Sequence, residues 1–333
     1  MIDIFVSLLP VFIFLIGLVY FDSYKLVKIR TVLLVIFVGF VTAAISYVIN
    51  KFLLNTFLID ISIYAKYIAP IIEETLKAIF IVYMISKKKI GFTVDAVICG
   101  FAIGAGFSFI ENIYYLNVVE VSSIFLWIIR GFGTAIMHGG TTALFAIISK
   151  SLFDRANGFK FINYFLALIF AIIIHSFFNH LLLPAIAITV LQLLLLPAFL
   201  IFVFKRSEMV LRSWIEAGLG NEVQLLMHID NGVFSESHSG QYLLSLKNNF
   251  SGMVLSDMLC LIKIHLELSI KAKGVLLLRK VGLPVIVEDE IKDKLEELKY
   301  LEKSIGETGK LAVSPIFRTS TKDLWQLYML GLK

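Results

Sequence analysis

Charged residues are scarce in this 333-residue chain. They make up 17% of it, against about 25% in soluble domains. The formal net charge is +5, and no basic face with interleaved aromatic residues occurs, so no nucleic-acid partner is expected. Cysteine is nearly absent. Cys99 lies in an apolar run and Cys260 in the last third, with no CxxC pair. A disulfide framework and a thiolate zinc or redox centre are both excluded. A basic leader is missing too. The chain begins Met1-Ile2-Asp3, so the first apolar run is expected to be retained as a membrane helix and not cleaved. There is no HExxH, no internal repeat and no low-complexity segment.

What the chain has in excess is apolar length. Residues of hydrophobic type make up 59%, concentrated between Ile4 and Phe204. The uncharged runs there approach the roughly 20 residues that a helix needs to cross the hydrocarbon layer. Seven spans are expected, at 4–21, 31–50, 63–86, 91–118, 124–149, 161–183 and 185–204. The last two are separated only by a turn near Pro184, and could instead form one span with a re-entrant piece. The expected fold class is all-α. It is a polytopic transmembrane bundle over residues 1–206, with a small cytoplasmic domain over 207–333. In that tail, 286–304 has the spacing of an amphipathic helix, and Leu259 to Leu278 reads as a helix or strand.

Basic residues set the orientation. Lys25, Lys28 and Arg30 follow the first span, and Lys87, Lys88 and Lys89 the third. Lys150, Arg155 and Lys160 follow the fifth, and Lys205, Arg206 and Arg212 the seventh. The alternate loops hold only Lys51 and Lys66, with nothing basic near 119–123 or 183–186. Basic loops mark the cytoplasmic side, so the N-terminus is expected outside and the C-terminus inside a cell membrane.

Ionisable groups inside spans carry an insertion cost of about 2.5–3.5 kcal/mol each, and here they cluster. Spans three to six hold Glu73, Glu74, Lys77, Asp95, Glu111, Arg130, His138 and His175, whereas the first, second and seventh hold almost none. Asp95 is near the cytoplasmic end and stands apart. Pro70, one turn before Glu73, should kink its helix and free a carbonyl. At about 1.5 Å per residue, Glu73, Glu111, His138 and His175 lie roughly 10–20 Å from the outer ends of their helices. Similar depth in contiguous helices points to one site. Two histidines and a glutamate suit a zinc-type ion with an open position. A further glutamate could act as general base. Lys77 and Arg130 could hold carboxylates ionised or stabilise an oxyanion. Asn179, one turn from His175, could orient that ring or the substrate. Each residue also has a plainer reading: Glu73 with Lys77 as a neutralising pair, and each histidine as a hydrogen-bonded contact between helices.

The combined pattern is Glu73-Glu74-x-x-Lys77, Phe107-x-x-x-Glu111-Asn112, Arg130 with His138, and His175-x-x-x-Asn179. Over a catalytic core of about residues 60–183 it resembles the PrsW family of intramembrane proteases, distant relatives of the CAAX prenyl endopeptidases and the CPBP/Abi proteins. The resemblance implies a multi-pass bacterial metallopeptidase that cuts a membrane-anchored anti-sigma factor on the extracytoplasmic side, at the start of a stress cascade. It implies Glu73 and Glu74 as the catalytic pair, with Glu111, His138 and His175 as metal or water contacts. The cofactor would be a divalent metal, zinc by ligand preference, and the partners a membrane-anchored protein and the bilayer. The CAAX relatives carry His where Glu111 stands, and a metal-independent glutamate mechanism has been argued for them. Two other readings stay open. A cation-coupled transporter would use the same Glu, His and Lys as a relay, though the inverted repeats of such proteins are missing. A catalytically silent scaffold or immunity protein would keep the residues without cleaving.

Overall fold

The computed structural model describes residues 2–119, 123–155, 161–180, 182–284, 290–317 and 330. Every described element is a helix. In chain order these are α1 (Ile2–Tyr20), α2 (Ile29–Phe57), α3 (Ile61–Ile63), α4 (Ala69–Ser86), α5 (Thr93–Val118), α6 (Ile124–Ile128) and α7 (Ala135–Arg155). Then come α8 (Phe161–His180), α9 (Ala185–Asp230), α10 (His238–Ser245), α11 (Gly252–Lys280) and α12 (Glu290–Phe317). A π-helical turn, Tyr64–Ile68, joins α3 to α4, and another, Ile129–Thr134, joins α6 to α7. The chain forms two compact units, Met1–Glu208 and Met209–Lys333.

Among the described residues, six helices are long and apolar enough to cross a membrane. They match six of the seven expected spans. The remaining expected span, the third at 63–86, is also helical, from α3 through the π turn to the end of α4. Its Glu73, Glu74 and Lys77 are what set it apart from the other six on apolarity. The ambiguity expected at 181–204 resolves into two helices on either side of Pro184: α8 ends at His180 and α9 starts at Ala185, with residue 181 outside the described residues.

In the first unit α5 is the central helix. Its membrane window is 83% buried, against 28% for α1, and it packs on α7 and α2. Three glycines permit this. A Cβ at Gly104 would fall on the carbonyl of His138, one at Gly100 would crowd Thr142, and one at Gly106 would fall on the carbonyl of Ile36. Without side chains there, backbones touch, as small residues allow between membrane helices. The Gly104 contact fixes the height of His138 against α5. Asp95 is buried, and its carboxylate accepts from the N–H groups of Gly91 and Phe92 at 2.9 and 3.1 Å. It therefore shapes the turn into α5 and takes no part in the polar cluster.

The expected kink at Pro70 takes the form of a π turn. The N–H of Ala69 reaches back five residues to Tyr64 O, and Pro70 has no N–H to give. The carbonyls of Ala65 and Lys66 are thereby left for other donors. Helix α8 supplies them: Asn179 Nδ2 donates to Ala65 O at 2.9 Å and Ser176 Oγ to Lys66 O at 2.6 Å. This pair of bonds pins His175, one residue before Ser176, beside the start of α4.

The second unit, within 209–333, packs α11 against α12. Ile291, Leu298, Leu301 and Ile305 of α12 are buried at helical spacing, as are Met258, Leu261, Ile262 and Leu276 of α11. The tail segment near Leu259 is thus helical. Of the helix expected at 286–304, residues 286–289 lie outside the described residues, as does Lys160 of the basic loop after the fifth span. Lys294 sits between Glu267 and Glu290, 2.8 Å from each. Those two carboxylates push it up to about 12.

Candidate metal and catalytic centre

Four helices build the site. α4 carries Glu73, Glu74 and Lys77, α5 carries Glu111, the second π turn and α7 carry Arg130 and His138, and α8 carries His175.

Glu74 is the hub. Its Oε1 accepts from Lys77 Nζ at 2.6 Å, from His175 Nδ1 at 2.7 Å and from Thr141 Oγ1 at 3.3 Å. Glu74 and Lys77 are both buried, at 2% and 0% exposure. An ammonium at that depth requires an ionised partner. Since a carboxylate only accepts, His175 Nδ1 carries the hydrogen, and in the neutral imidazole Nε2 is the nitrogen with the lone pair. That nitrogen faces Glu73, whose Oε2 lies 3.8 Å away.

His138 is bound on both nitrogens. Lys77 Nζ lies 3.1 Å from Nδ1, and Glu111 Oε2 lies 2.9 Å from Nε2. The ammonium can only donate, so Nε2 holds the hydrogen and donates to Glu111. The two imidazoles meet edge to face, with ring centroids 4.8 Å apart. Arg130 Nη2 makes an ion-pair contact with Glu111 Oε1 at 3.1 Å that is not an aligned hydrogen bond. Its Nε donates to Asn112 Oδ1 at 2.9 Å, and its guanidinium stacks 3.6 Å from the centroid of Tyr115. Asn112 in turn donates to Ser7 O of α1 at 2.8 Å. Arg130 is thus held over Glu111 by Asn112 and Tyr115.

Glu73 is the least committed carboxylate. Its Oε1 accepts one long bond, 3.4 Å, from Asn50 Nδ2. Its side chain is 14% exposed, against 1% for Glu74.

The structure brings Glu73, Glu74, Lys77, Glu111, Arg130, His138 and His175 into one connected network. Asn179 stands outside it, bonded to the backbone of Ala65. Four contacts escaped the sequence reading: Asn50, Tyr64, Thr141 and Ser176. Only Asn50 carries a signal of its own, a polar amide at the end of an apolar run and one turn after Ser46.

Donor chemistry tests the fit to a metal. One ligand atom each from Glu73, His138 and His175 lie within 4.8 Å of one another, the candidate grouping found among the described residues. Two imidazoles and a carboxylate match the three-ligand sets that leave a catalytic position open. His175 Nε2 and Glu73 are ready as they stand. His138 joins them by exchanging one partner, Lys77 on Nδ1 or Glu111 on Nε2. The set fits.

Three carboxylates, two cationic side chains and two imidazoles thus meet in one network inside a helical membrane bundle, an inventory suited to hydrolysis within the membrane. Residues 27–204, more than half of the chain, match the profile of the PrsW family intramembrane metalloproteases. The protein belongs to that family. It is a membrane peptidase whose substrate is a protein in the membrane and whose class implies a divalent metal. No curated protein and no solved structure matches the chain.

Proposed function

We propose that the chain is an endopeptidase cutting a membrane-anchored protein near the extracytoplasmic face, with Glu73, His138 and His175 holding a zinc ion and Glu111 as general base. The observation that carries this reading is the mutual approach of those three donors, next to a further carboxylate, Glu111, that is paired with Arg130. It gives Glu73 the ligand position that the sequence resemblance gives Glu111, and Glu111 the base position.

A zinc ion held there supplies Lewis acidity, which polarises the scissile carbonyl and acidifies water. The chain's own residues do the rest. Glu74 fixes the His175 tautomer through Nδ1 and so aims Nε2 at the ion. Lys77 neutralises Glu74, which lets two charges stay buried. Glu111 takes the proton of the attacking water as its oxygen bonds the carbonyl carbon. It then passes that proton to the leaving amine as the C–N bond breaks. Arg130 holds the Glu111 carboxylate in place through their ion pair. Asn179 and Ser176 position His175 through the backbone before Pro70, a holding role and not a chemical one.

The basic loops support an extracytoplasmic N-terminus, a cytoplasmic C-terminus and a cytoplasmic second unit. On that orientation Glu73, Glu111 and His175 lie in the outer half of their helices and His138 near the midplane. The family resemblance supports a membrane-anchored anti-sigma factor as the substrate. The test is to compare the N-terminal peptides of membrane proteins from cells expressing the native chain or Glu111→Gln at matched levels. The reading expects new N-termini on the extracytoplasmic side of single-span proteins with the native chain only. Matching profiles under several stresses would remove it, and new N-termini on the cytoplasmic side would overturn the orientation.

A further inference from the structure

One polar chain reaches the site from outside the recognised motifs. In α2, Asn50 stands one turn after Ser46, and Asn50 Nδ2 lies 3.2 Å from Ser46 Oγ and 3.4 Å from Glu73 Oε1. Tyr64, first residue of the π turn before α4, donates from its hydroxyl to Asn50 Oδ1 at 2.8 Å. Chemistry fixes the direction of this chain. As a metal ligand Glu73 is a carboxylate with no hydrogen to give, so the amide turns its NH2 to it, and Asn50 Nδ2 stands on the Glu73 side. Its carbonyl oxygen then faces Tyr64, whose hydroxyl donates. Both amide hydrogens are used, one on Ser46 and one on Glu73. Tyr64 and Ser46 are themselves buried, at 3% and 1% exposure, so the amide cannot swing freely.

Glu74 is held by three donors and Glu111 by two cationic or imidazole groups. Glu73, the carboxylate with the most freedom, has this amide as its hydrogen-bond donor. A free glutamate would sample several rotamers, and only some would bring an oxygen towards His138 and His175. We propose that Asn50 and Tyr64 are positioning residues for Glu73: Tyr64 orients the Asn50 amide, and the amide holds the Glu73 carboxylate facing the two imidazoles. The first π turn gains a purpose from this. It places Tyr64 beside α2, while the carbonyls it frees anchor α8. One irregular turn thereby sets both Glu73 and His175. Groups that hold a metal-binding side chain from behind contribute about 10–100-fold in metal affinity or activity.

The inference rests on the metal-site reading above, so the experiment reads two quantities. Purified native chain, Asn50→Asp, Asn50→Leu, Asn50→Gln and Tyr64→Phe are compared for zinc affinity by competition with a chromophoric chelator. The same proteins are compared for kcat and KM on a peptide carrying the cleavage site found with the native chain. Asn50→Asp keeps the size and the acceptor for Tyr64 but cannot donate to Glu73. It should bind zinc at least about 10-fold more weakly and lower kcat with little change in KM. Asn50→Leu should match it, Tyr64→Phe should show a smaller loss in the same direction, and Asn50→Gln should recover part of the affinity. Native zinc affinity and kcat in properly inserted Asn50→Asp and Asn50→Leu would overturn the positioning role while leaving the site reading intact. Absence of zinc binding and cleavage in the native chain would overturn the site reading, and this inference with it.

Discussion

Glu74 and His175 are joined by a 2.7 Å hydrogen bond from imidazole Nδ1 to carboxylate Oε1, and that same oxygen neutralises Lys77 at 2.6 Å. The first bond serves chemistry and the second serves folding, so the two can be separated by mutation. Glu74→Gln leaves Lys77 buried without its counter-charge, a loss of about 3–5 kcal/mol. The single variant should fall in membrane yield and lose activity. Adding Lys77→Met should restore the yield, because the unpaired charge is gone, while cleavage stays at least about 10-fold down. Quantitative immunoblotting of membranes together with a cleavage assay checks both. Restored cleavage in the double variant would count against Glu74 as the group that orients His175.

The bonds from Ser176 and Asn179 to the backbone before Pro70 make a compensation test. Ser176→Ala leaves the Lys66 carbonyl without its donor, worth about 1–3 kcal/mol. Pro70→Ala restores a backbone N–H in that turn. Ser176→Ala with Pro70→Ala should therefore be more stable than Ser176→Ala alone. Melting in detergent, followed by circular dichroism, measures the difference. Asn179→Leu should behave like Ser176→Ala, with a lower melting temperature and a correspondingly modest loss of activity.

Close backbone approach at Gly104 sets the depth of His138, and the site should feel any side chain placed there. A Cβ at Gly104 meets the His138 carbonyl, so Gly104→Ala must push α7 away. A destabilisation of about 1–3 kcal/mol is expected from overpacking alone, accompanied by weaker zinc retention. Gly17 has nothing near its Cβ direction, and Gly17→Ala should be silent. Thermal melting and zinc content of the two variants test the contrast.

In the turn after α1, Asp22 is buried, and its Oδ2 accepts from the N–H groups of Leu26 and Val27 at 2.6 and 3.2 Å. Burial nevertheless wins and raises its carboxyl above the usual carboxylate range. A raised acid contributes stability that is fully present below the ordinary carboxylate pKa of about 3.9 and is lost as pH rises through the folded value. Asp22→Asn keeps an acceptor without the charge. It should melt higher than the native chain near pH 7, with the gap closing near pH 4. A gap that widens on acidification would contradict this.

Hydropathy made the bundle legible because six of its helices are long and strongly apolar on average, with few charged residues in each. The third span was readable from its flanks even though Glu73, Glu74 and Lys77 sit inside it. Depth arithmetic was enough to gather Glu73, Glu111, His138 and His175, since rise per residue does not depend on packing. It could not tell which glutamate faces the histidines, because that depends on helix rotation. The π turns at Tyr64 and Ile129 change that rotation without leaving a mark in composition. Pro70 announced a freed carbonyl, but its partners on α8, more than a hundred residues away, could not be named. Asn179 read as a site residue because one helical turn from His175 puts it on the same face, and that face also meets the π turn. Asn50 looked like an ordinary end-of-span amide, and only tertiary contact ties it to Glu73.

The central claim is that Glu73, His138 and His175 form one metal-holding centre, and the zinc K-edge absorption spectrum of the purified chain tests it most directly. The account predicts close to one zinc per chain, with two imidazole ligands and oxygen donors at about 2.0–2.1 Å. It further predicts loss of the imidazole signal in His138→Ala with His175→Ala. A chain that retains no zinc, or whose spectrum is unchanged in that double variant, would contradict it.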